Sequence, residues 1–360
     1  MRPLKFLKGV DISIQHEMEQ LGAKYYHNGK EGDAIQILKD FNINAVRLRL
    51  WCDPYDKDNR PYGGGTNDLS TTIKLAKRAK LKNMKFLLDI HYSDFWADPG
   101  TQIKPKAWKD LSGEALEEAV YKYTYETIKA LDDNGVVPDI VQIGNEITNG
   151  LLWPDGKFSN IKTMTRLLYA GIKGAKDFNA DIKTLIHLDQ GGDNKLYRKW
   201  FDEISFAALE FDIIGLSYYP FWHGTLEQLI YNMNDISSRY DKDVIVVETA
   251  FPFTTEQIKS ETMIFTDEHA GIVPYDISKQ GQCQFMLDLM KAIKEVQNNR
   301  GIGFFYWEPT WINIRQASWA SEAGREYLNK NSTLGNTWAN LALFDFEGNA
   351  LPALEVIRDF

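Results

Sequence analysis

The chain has 360 residues, of which 44% are hydrophobic and 25% are charged. That balance supports a sizeable buried core under a charged surface, and it excludes disordered, collagen-like and coiled-coil proteins. There are 41 Lys and Arg against 50 Asp and Glu, a net charge of −9, and a surface of that sign repels phosphate backbones. We therefore expect no nucleic-acid partner.

Composition also argues against a membrane span and a structural zinc site. The chain has no run of about 18 apolar residues, which a span would need, and its two cysteines are too few for a disulfide framework or a zinc ribbon. The first residues lack the apolar segment of a signal peptide. We expect a secreted protein if a signal was trimmed and a cytoplasmic one if Met1 is the native start.

Short apolar, β-branched or aromatic runs alternate with helical patterns along the chain. In order, the runs predict strands at residues 6–13, 45–51, 85–93, 139–146, 183–190, 212–220, 243–250 and 301–309. Helical patterns lie at residues 31–40, 68–83, 113–134, 158–179, 194–208, 225–239 and 279–299, and a short closing helix follows Pro352. Eight strands joined by helical crossovers predict an α/β fold, a single (β/α)8 TIM barrel over residues 1–360. We expect this single domain to be a monomer.

A doubly wound open sheet is the alternative fold. It usually has fewer strands, and it carries a glycine-rich phosphate-binding turn after the first strand. The first strand here ends in GVDIS (residues 9–13), and the chain contains no GxGxxG or GxxxxGK(S/T) pattern. The nucleotide-binding interpretation therefore lacks its main support.

Two predicted connections are much longer than the usual βα loop of a few residues. They cover residues 251–278, after the seventh strand, and residues 310–350, after the eighth. Because βα loops all emerge at the carboxyl ends of the strands, both lie on the face of the barrel that carries active sites.

Glutamates stand at the carboxyl ends of two otherwise apolar strands. The fourth strand ends in Asn145-Glu146, and Glu248 lies near the end of the seventh. These strands lie roughly opposite each other across a barrel mouth, so we expect the two carboxyl groups at about 5–5.5 Å, the separation that suits a double displacement at a sugar carbon. A lone glutamate at a strand end is commonly a loop ion-pair partner, but two at these strands with Asn145 alongside favour catalysis.

Several strings in the sequence resemble the signatures of glycoside hydrolase family 53, the endo-β-1,4-galactanases. The most specific are DIHYSDFWADP (89–99), VQIGNEITNGLLWP (141–154) and FYWEP (305–309). The similarity covers nearly the whole chain, through GVD (9–11), VRLRLW (46–51), HLD (187–189), SYYPF (217–221) and LFDF (343–346). It implies a retaining endo-hydrolase of internal β-1,4-galactosidic bonds in galactan and type I arabinogalactan, which are pectin side chains.

The resemblance also implies the catalytic roles. Glu146 is the general acid/base and Glu248 the nucleophile, and three residues assist them: Asn145 on the sugar 2-hydroxyl, Arg47 beside the nucleophile, and Tyr219 holding the nucleophile in its orientation. These roles are physically consistent, because Glu146 needs a raised pKa to carry a proton, whereas Glu248 needs hydrogen-bond donors and positive charge to stay ionised.

Two arginines of the second strand have a structural alternative. Arg47 and Arg49 are two positions apart, so they face the same side of the strand and both can enter the barrel. Instead of serving the site, each can form a buried ion pair with Asp89 or Asp11.

Aromatic and polar residues near the strand ends are the expected substrate-binding residues. Indole faces stack on the C–H faces of pyranose rings, so several of them in a groove imply several sugar subsites, although core packing is the ordinary role of a tryptophan. The expected set is Trp51, Asp89, His91, Trp96, Asp98, Trp153, His187, Asp189, Trp222 and Trp307. Trp307 is expected under the sugar at the cleavage point, whereas Trp319 and Trp338 follow no predicted strand.

Metal hydrolysis is the alternative for His91, His187 and His223, which lie at or after predicted strands. Barrel enzymes that use three histidines in this way add an HxH pair on the first strand, and that strand supplies only Asp11 here. We therefore expect no metal in the chemistry and no required cofactor.

A structural calcium is the remaining metal question. Some members of the family hold calcium in the loop after the seventh strand, where this chain offers Asp267 and His269. Calcium prefers about 6–8 oxygen ligands, so this loop has too few unless the loop after the eighth strand adds more.

Two other functions are compatible with the same pattern. One is a related retaining endo-glycanase acting on mannan, glucan or xylan, and the other is a non-catalytic carbohydrate-binding barrel. The presence of both glutamates beside Asn145 argues against the binding barrel, which has no use for a nucleophile. The expected partner is β-1,4-galactan or its oligosaccharides.

Overall fold

The computed structural model describes residues 6–256 and 263–360. Eight parallel strands close a barrel: β1 (Leu7–Asp11), β2 (Ala45–Leu50), β3 (Lys85–Ile90), β4 (Ile140–Ile143), β5 (Lys183–Leu188), β6 (Ile213–Ser217), β7 (Asp243–Thr249) and β8 (Gly301–Trp307). Each strand pairs with the next in chain order, and β8 pairs with β1. The predicted (β/α)8 TIM barrel is confirmed.

Helices follow the strands on the outside of the barrel: α1 (Ala34–Asp40), α2 (Leu69–Leu81), α3 (Gly113–Asp133), α4 (Ile161–Phe178), α5 (Asn194–Phe206), α6 (Leu226–Tyr240), α7 (Lys279–Lys294) and α8 (Ala353–Asp359). Shorter helices at Gln15–Gln20, Asp267–Ala270 and Glu322–Tyr327 lie in the loops. Among the described helices, none is long and apolar enough to cross a membrane.

Two segments differ from their predicted structure. A hairpin of Tyr25–His27 and Lys30–Gly32 occupies the start of the helix predicted over residues 31–40, so α1 begins only at Ala34, after Asp33 has capped it. The fourth strand ends at Ile143 and not at residue 146, because the backbone after it turns into the left-handed region.

The interior of the barrel is apolar at its amino-terminal end. It is filled by Leu7, Ala45, Leu87, Ile140, Leu185, Ile213, Ile245, Val247, Ile302 and Phe305. The Phe305 ring lies against Gly9, where an added Cβ would stand 2.3 Å from a ring carbon, so glycine is required there. Burial of each large apolar side chain contributes about 1.5–3 kcal/mol, which gives the barrel a stable base for the polar residues at its mouth.

Charged side chains replace apolar ones toward the carboxyl ends of the first strands. Asp11 of β1 stands in register with Arg47 of β2, and Arg49 stands in register with Asp89 of β3. All four side chains are at most 1% exposed. Buried charges must be paired, so the register itself builds an ion-pair layer beneath the mouth.

Both long βα loops are confirmed. Residues 250–278 connect β7 to α7, and residues 308–352 connect β8 to α8. Part of the first loop, residues 257–262, lies outside the described residues. The second loop folds back over the mouth of the barrel and adds side chains to the cleft there.

Candidate active site

A cleft of about 670 Å³ opens at the carboxyl ends of the barrel strands. Its volume falls within the roughly 300–1,000 Å³ typical of ligand-binding sites. The predicted site residues that line it are Arg47, His91, Trp96, Asp98, Asn145, Glu146, Asp189, Tyr219, Trp222, Glu248 and Trp307. The structure therefore brings most of the predicted site together in one place.

Glu146 reaches the cleft because the chain turns sharply after β4. Gly144 has a φ of 79°, and an added Cβ there would stand 2.7 Å from the Ile147 side chain, so a larger residue would be strained. Glu146 itself has a φ of 47°, a left-handed conformation that costs residues other than glycine about 1–2 kcal/mol. Such strain is common where function fixes the direction of a side chain.

Glu248 lies near the end of β7 and is 6% exposed. Its Oε1 atom lies 2.9 Å from Arg47 Nη1, and the Tyr219 hydroxyl donates a hydrogen bond to Oε2 at 3.3 Å. Each carboxyl oxygen thus has a donor. These contacts favour the ionised form and hold the carboxylate in one orientation.

The two glutamates differ in what compensates their burial. Burial, and then the negative charge of Glu248, raises the pKa of Glu146 well above its usual range. Burial raises the pKa of Glu248 as well, but the positive charge of Arg47 counteracts that rise. Because Arg47 pairs with Glu248, the first proton that the pair takes up resides on Glu146.

A chain of hydrogen bonds reaches Glu146 from inside the barrel. His187 Nε2 lies 2.8 Å from Ser217 Oγ, which donates to Glu146 Oε1 at 2.6 Å. Burial, reinforced by the charge of Arg47, lowers the pKa of His187 well below its usual value, so the ring is neutral. Its Nδ1 accepts from Glu146 N at 3.4 Å and the one Ser217 hydrogen goes to Glu146, so Nε2 is the donor to Ser217. Ser217 was not among the predicted site residues, although it opens the SYYPF string at the end of β6.

Arg47 is the centre of a buried ion-pair network. Its Nη1 atom lies 2.9 Å from both Asp11 Oδ2 and Glu248 Oε1, and its Nη2 atom lies 2.8 Å from Asp89 Oδ2. Nη2 also donates to Asn145 Oδ1 at 2.8 Å. Both interpretations of Arg47 therefore hold at once, since it lies beside Glu248 and forms the structural pairs with Asp11 and Asp89.

Asn145 is fixed at both ends of its amide. Oδ1 accepts from Arg47, and Nδ2 donates to Ala97 O at 2.9 Å. An amide nitrogen carries two hydrogens, so Nδ2 has a second one to offer to a ligand in the cleft. Gln142, which was not predicted, links the network by donating to Asp89 Oδ1 at 2.6 Å and accepting from Arg47 Nε at 3.2 Å.

Arg49 forms a second buried pair beneath the aromatic wall of the cleft. Its Nη1 atom lies 2.6 Å from Glu308 Oε1 and 3.5 Å from Asp11 Oδ1, so its main partner is Glu308, whereas the sequence predicted Asp11 or Asp89. Burial raises the pKa of Glu308 to about 8, against the opposing charge of Arg49. The guanidinium carbon lies 4.4 Å from the Trp96 ring centroid, a cation–π contact that supports the indole.

Three of the predicted substrate-binding residues are corrected by their burial. Trp51, Asp89 and His187 are 0% exposed, which leaves them no surface for a sugar. Trp51 packs edge-on against Trp96, with 5.1 Å between ring centroids, and donates from Nε1 to His91 Nδ1 at 3.2 Å. All three side chains point into the barrel or the core and support the residues that line the cleft.

Trp153 lies outside the described lining of the cleft. It is half-buried beside the hairpin of Gly150–Leu151 and Gly156–Lys157, where its Nε1 donates to Asn149 O at 3.1 Å and Lys157 Nζ lies 5.1 Å from its ring centroid. In the described part of the chain, Trp153 is not among the residues that line the cleft. The loop after β4 folds into a hairpin and carries the indole to one side.

Tryptophans from β8 and its long loop form one wall of the cleft. Trp307 lies 4.5 Å from Trp338 and 6.1 Å from Trp96 between ring centroids, and Trp338 Nε1 donates to Trp307 O at 3.2 Å. Trp319 accepts at its carbonyl from Trp96 Nε1 at 2.9 Å. Trp319 and Trp338 were missed because they follow no strand, and the length of the loop was the signal that pointed to them.

The described residues that the sequence offered for calcium, Asp267 and His269, make contacts within the loop after β7. His269 Nδ1 lies 3.2 Å from Thr266 Oγ1, and Trp222 Nε1 donates to His269 Nε2 at 3.4 Å. Both ring nitrogens are thus used within the fold, and Asp267 begins the short helix of the same loop. Over residues 6–256 and 263–360, no group of three or more His, Cys, Asp or Glu side chains is arranged to hold a metal ion.

Nearly the whole chain is similar to proteins of one family. Residues 7–357 match the sequence profile described as Glycosyl hydrolase family 53. A solved structure described as the family 53 catalytic domain of Ignisphaera aggregans is 43% identical, with a TM-score of 0.93, over 99% of this chain and 96% of that one.

Two further relatives carry the name galactanase. The endo-beta-1,4-galactanase of Bacillus subtilis (strain 168) is 36% identical, in an alignment that covers 98% of this chain and 85% of the relative. A structure from a study of two fungal beta-1,4-galactanases is 32% identical, with a TM-score of 0.81, over 99% of this chain and 100% of that one. With similarity of this extent, the chain belongs to glycosyl hydrolase family 53.

Proposed function

We propose that this hydrolase is an endo-β-1,4-galactanase, which cleaves internal bonds of galactan and type I arabinogalactan with retention of configuration. The galactanase names of relatives similar over nearly the whole chain support the substrate. The mechanism rests on one observation: a single cleft holds Glu248, which is buried and paired with Arg47, together with Glu146, whose pKa is raised by burial and by the charge of Glu248 so that it can carry a proton.

In the first step, Glu248 attacks the anomeric carbon of the galactose in the cleft. The bond between that carbon and the glycosidic oxygen breaks as an ester bond to Glu248 forms, and the Glu146 proton passes to the departing oxygen. The leaving half of the polysaccharide then carries a free hydroxyl group. Glu146 is left as a carboxylate beside the covalent intermediate.

In the second step, Glu146 takes a proton from a water molecule, and the resulting hydroxide attacks the same carbon from the face that the leaving group vacated. The ester bond to Glu248 breaks, Glu248 is again a carboxylate, and Glu146 is again protonated. Two inversions give net retention.

Neighbouring side chains lower the barriers to both steps. Arg47 and Tyr219 hold Glu248 in its attacking orientation, and Asn145 has a hydrogen for the sugar 2-hydroxyl, a bond that strengthens as positive charge develops on the ring. Trp307 offers its indole face to the sugar ring. Every residue in the mechanism comes from one chain, so the proposed active form is a monomer.

Replacing Arg47 by lysine is expected to move the acid limb of the kcat/KM pH profile to higher pH. Glu248 must be ionised to attack, and a lysine ammonium cannot contact Asp11, Asp89 and Glu248 together, so the pKa of Glu248 rises further. The profile on a soluble galacto-oligosaccharide checks this. Arg49→Lys is the matched control, because Arg49 pairs with Glu308, and its acid limb should stay in place. An unmoved acid limb in Arg47→Lys would contradict the role of that residue.

A polysaccharide panel tests the proposed substrate. We expect reducing-sugar release from β-1,4-galactan to exceed release from β-1,4-mannan, glucan and xylan by at least about 100-fold, because an axial 4-hydroxyl changes both the shape of the chain and the hydrogen bonds that it can make. Short oligosaccharides should appear early in the reaction, because an endo-acting enzyme cleaves internal bonds.

Two results of the panel would count against the proposal. Faster hydrolysis of mannan, glucan or xylan than of galactan would assign the chain to a different substrate. Binding of galactan without release of reducing ends would make it a non-catalytic binding barrel.

A further inference from the structure

A second groove opens beside the catalytic cleft, between the loops that follow β5 and β6. It has a volume of about 800 Å³, and its lining includes Gln190, Asn194, Trp222 and Tyr231. We refer to it as the lateral groove. Trp222 and His223 line both the lateral groove and the cleft, so the two cavities adjoin along these side chains.

Two exposed aromatic side chains flank the lateral groove. Trp222 is 42% exposed and Tyr231, on α6, is 60% exposed. Trp222 is held firmly, since its ring packs against Phe221 and Tyr219 at 4.8 and 5.5 Å between centroids. Large exposed aromatic side chains beside a cavity are typical of binding surfaces, and a fixed indole next to a phenol offers two stacking platforms for sugar rings.

The charges of the lateral groove suit a neutral ligand. The lining carries Asp193 and Glu227 against Lys195 and Arg198, and Arg198 is itself paired with Asp235. No surplus of positive charge is therefore left for a phosphate or a polyanion. Asn194 and Arg198 both donate to Asp235 Oδ2 at 2.8 Å. The lining is therefore polar and pre-ordered, which is how proteins bind hydroxyl groups with little loss of side-chain entropy.

Contacts between loops place the lateral groove on the side of the proton donor. Gln190 Nε2 donates to Asp189 Oδ2 at 3.2 Å, and the other oxygen of Asp189 accepts from Thr148 Oγ, two residues beyond Glu146. The path from the groove thus leads through Asp189 to the loop that carries Glu146. Because Glu146 protonates the leaving oxygen, a polysaccharide chain that continues beyond that oxygen passes on the side of the cleft where the lateral groove lies.

We propose that the lateral groove binds further galactose residues on the leaving-group side of the substrate, with Tyr231 and Trp222 as stacking platforms. This inference rests on the proposed galactanase function. Its occupant is the continuing polysaccharide chain and not a separate ligand, because the groove adjoins the cleft and has no surplus positive charge for an anionic ligand.

The variant Tyr231→Ala tests the lateral groove, and Tyr169→Ala is its matched control. Tyr169 is 57% exposed on α4 and lines neither cavity in the described part of the chain. We expect Tyr231→Ala to raise KM for long galactan by about three- to tenfold, the range expected for one lost aromatic contact. Its kcat/KM on galactotriose, which is too short to span both cavities, should equal that of the wild type, and Tyr169→Ala should change neither value.

Product analysis then identifies which side of the substrate is bound. On a galacto-oligosaccharide of about eight residues with a heavy-oxygen label at the reducing end, wild type should release a labelled fragment longer than that from Tyr231→Ala. A shift toward longer labelled fragments in the variant would overturn the assignment to the leaving-group side.

The remaining outcomes separate the two proposals. Unchanged KM on long galactan together with unchanged fragments in Tyr231→Ala would overturn the lateral groove alone, while cleavage by wild type upholds the galactanase function. Failure of wild type to cleave galactan at all would overturn both.

Discussion

Replacing Glu248 by alanine is expected to lower kcat/KM on galactan by at least about 10⁴-fold. The variant lacks the atom that forms the bond to the sugar carbon, and neither Arg47 nor Tyr219 can supply one. Initial rates of reducing-sugar release on purified protein measure the loss. Activity above a few per cent of wild type would refute the assignment of the nucleophile.

A folding control is needed for this variant, because Glu248 belongs to a buried network. Arg47 keeps Asp11 and Asp89 as ion-pair partners when Glu248 is removed, so its charge stays compensated. We therefore expect cooperative thermal unfolding with a Tm close to that of wild type. The loss of activity then reports on chemistry and not on the fold.

Replacing Glu146 by alanine is expected to lower kcat on galactan by about 10²–10⁴-fold. The galactosyl oxygen is a poor leaving group and needs the proton that Glu146 supplies. An aryl β-galactoside with a strongly acidic phenol needs no such proton, so the first step on that substrate should remain close to the wild-type rate. Pre-steady-state release of the phenol, compared with steady-state turnover, measures the difference.

Comparison of the two substrates tests whether Glu146 is the proton donor. If Glu146→Ala slows the first step on galactan and on the activated aryl galactoside by the same factor, Glu146 is not the proton donor. The conservative variant Ser217→Ala gives a graded comparison, because it removes the hydrogen bond to Glu146 Oε1 while it leaves the carboxyl group in place. It should lose far less activity than Glu146→Ala.

The barrel could be predicted because each of its parts leaves a local pattern in the sequence. Eight apolar runs alternate with helical patterns, and each run matches an observed strand. The boundaries were less predictable, since they depend on single backbone angles. The fourth strand stops at Ile143 because Gly144 and Glu146 adopt positive φ. The apolar pattern of the strand does not indicate where that turn begins.

The charged residues of the site were predictable, as were the acidic partners of Arg47, but the neutral polar partners were not. Arg47, Glu146 and Glu248 stand out as polar groups in apolar strands. Ser217 and Gln142 do not, because a serine or glutamine at a strand end is unremarkable until the closed barrel brings it against Glu146 or Arg47. These contacts join strands that are far apart in the chain.

The tryptophans illustrate the same limit. Position at a strand end placed Trp96, Trp222 and Trp307 in the cleft correctly, but it also selected Trp51, which the structure buries completely. Trp338 lies in the cleft although it follows no strand, because the loop after β8 folds back over the barrel. Which way an indole points is decided by packing between loops, and that information is not local.

Azide rescue of the two alanine variants tests the division of labour between the glutamates most directly. With an activated aryl β-galactoside, azide fills the space left in Glu248→Ala and attacks from the nucleophile's face, so NMR should identify α-galactosyl azide. In Glu146→Ala, azide replaces water in the second step and should give β-galactosyl azide. The same anomer from both variants, or the two anomers exchanged, would contradict the double displacement as assigned here.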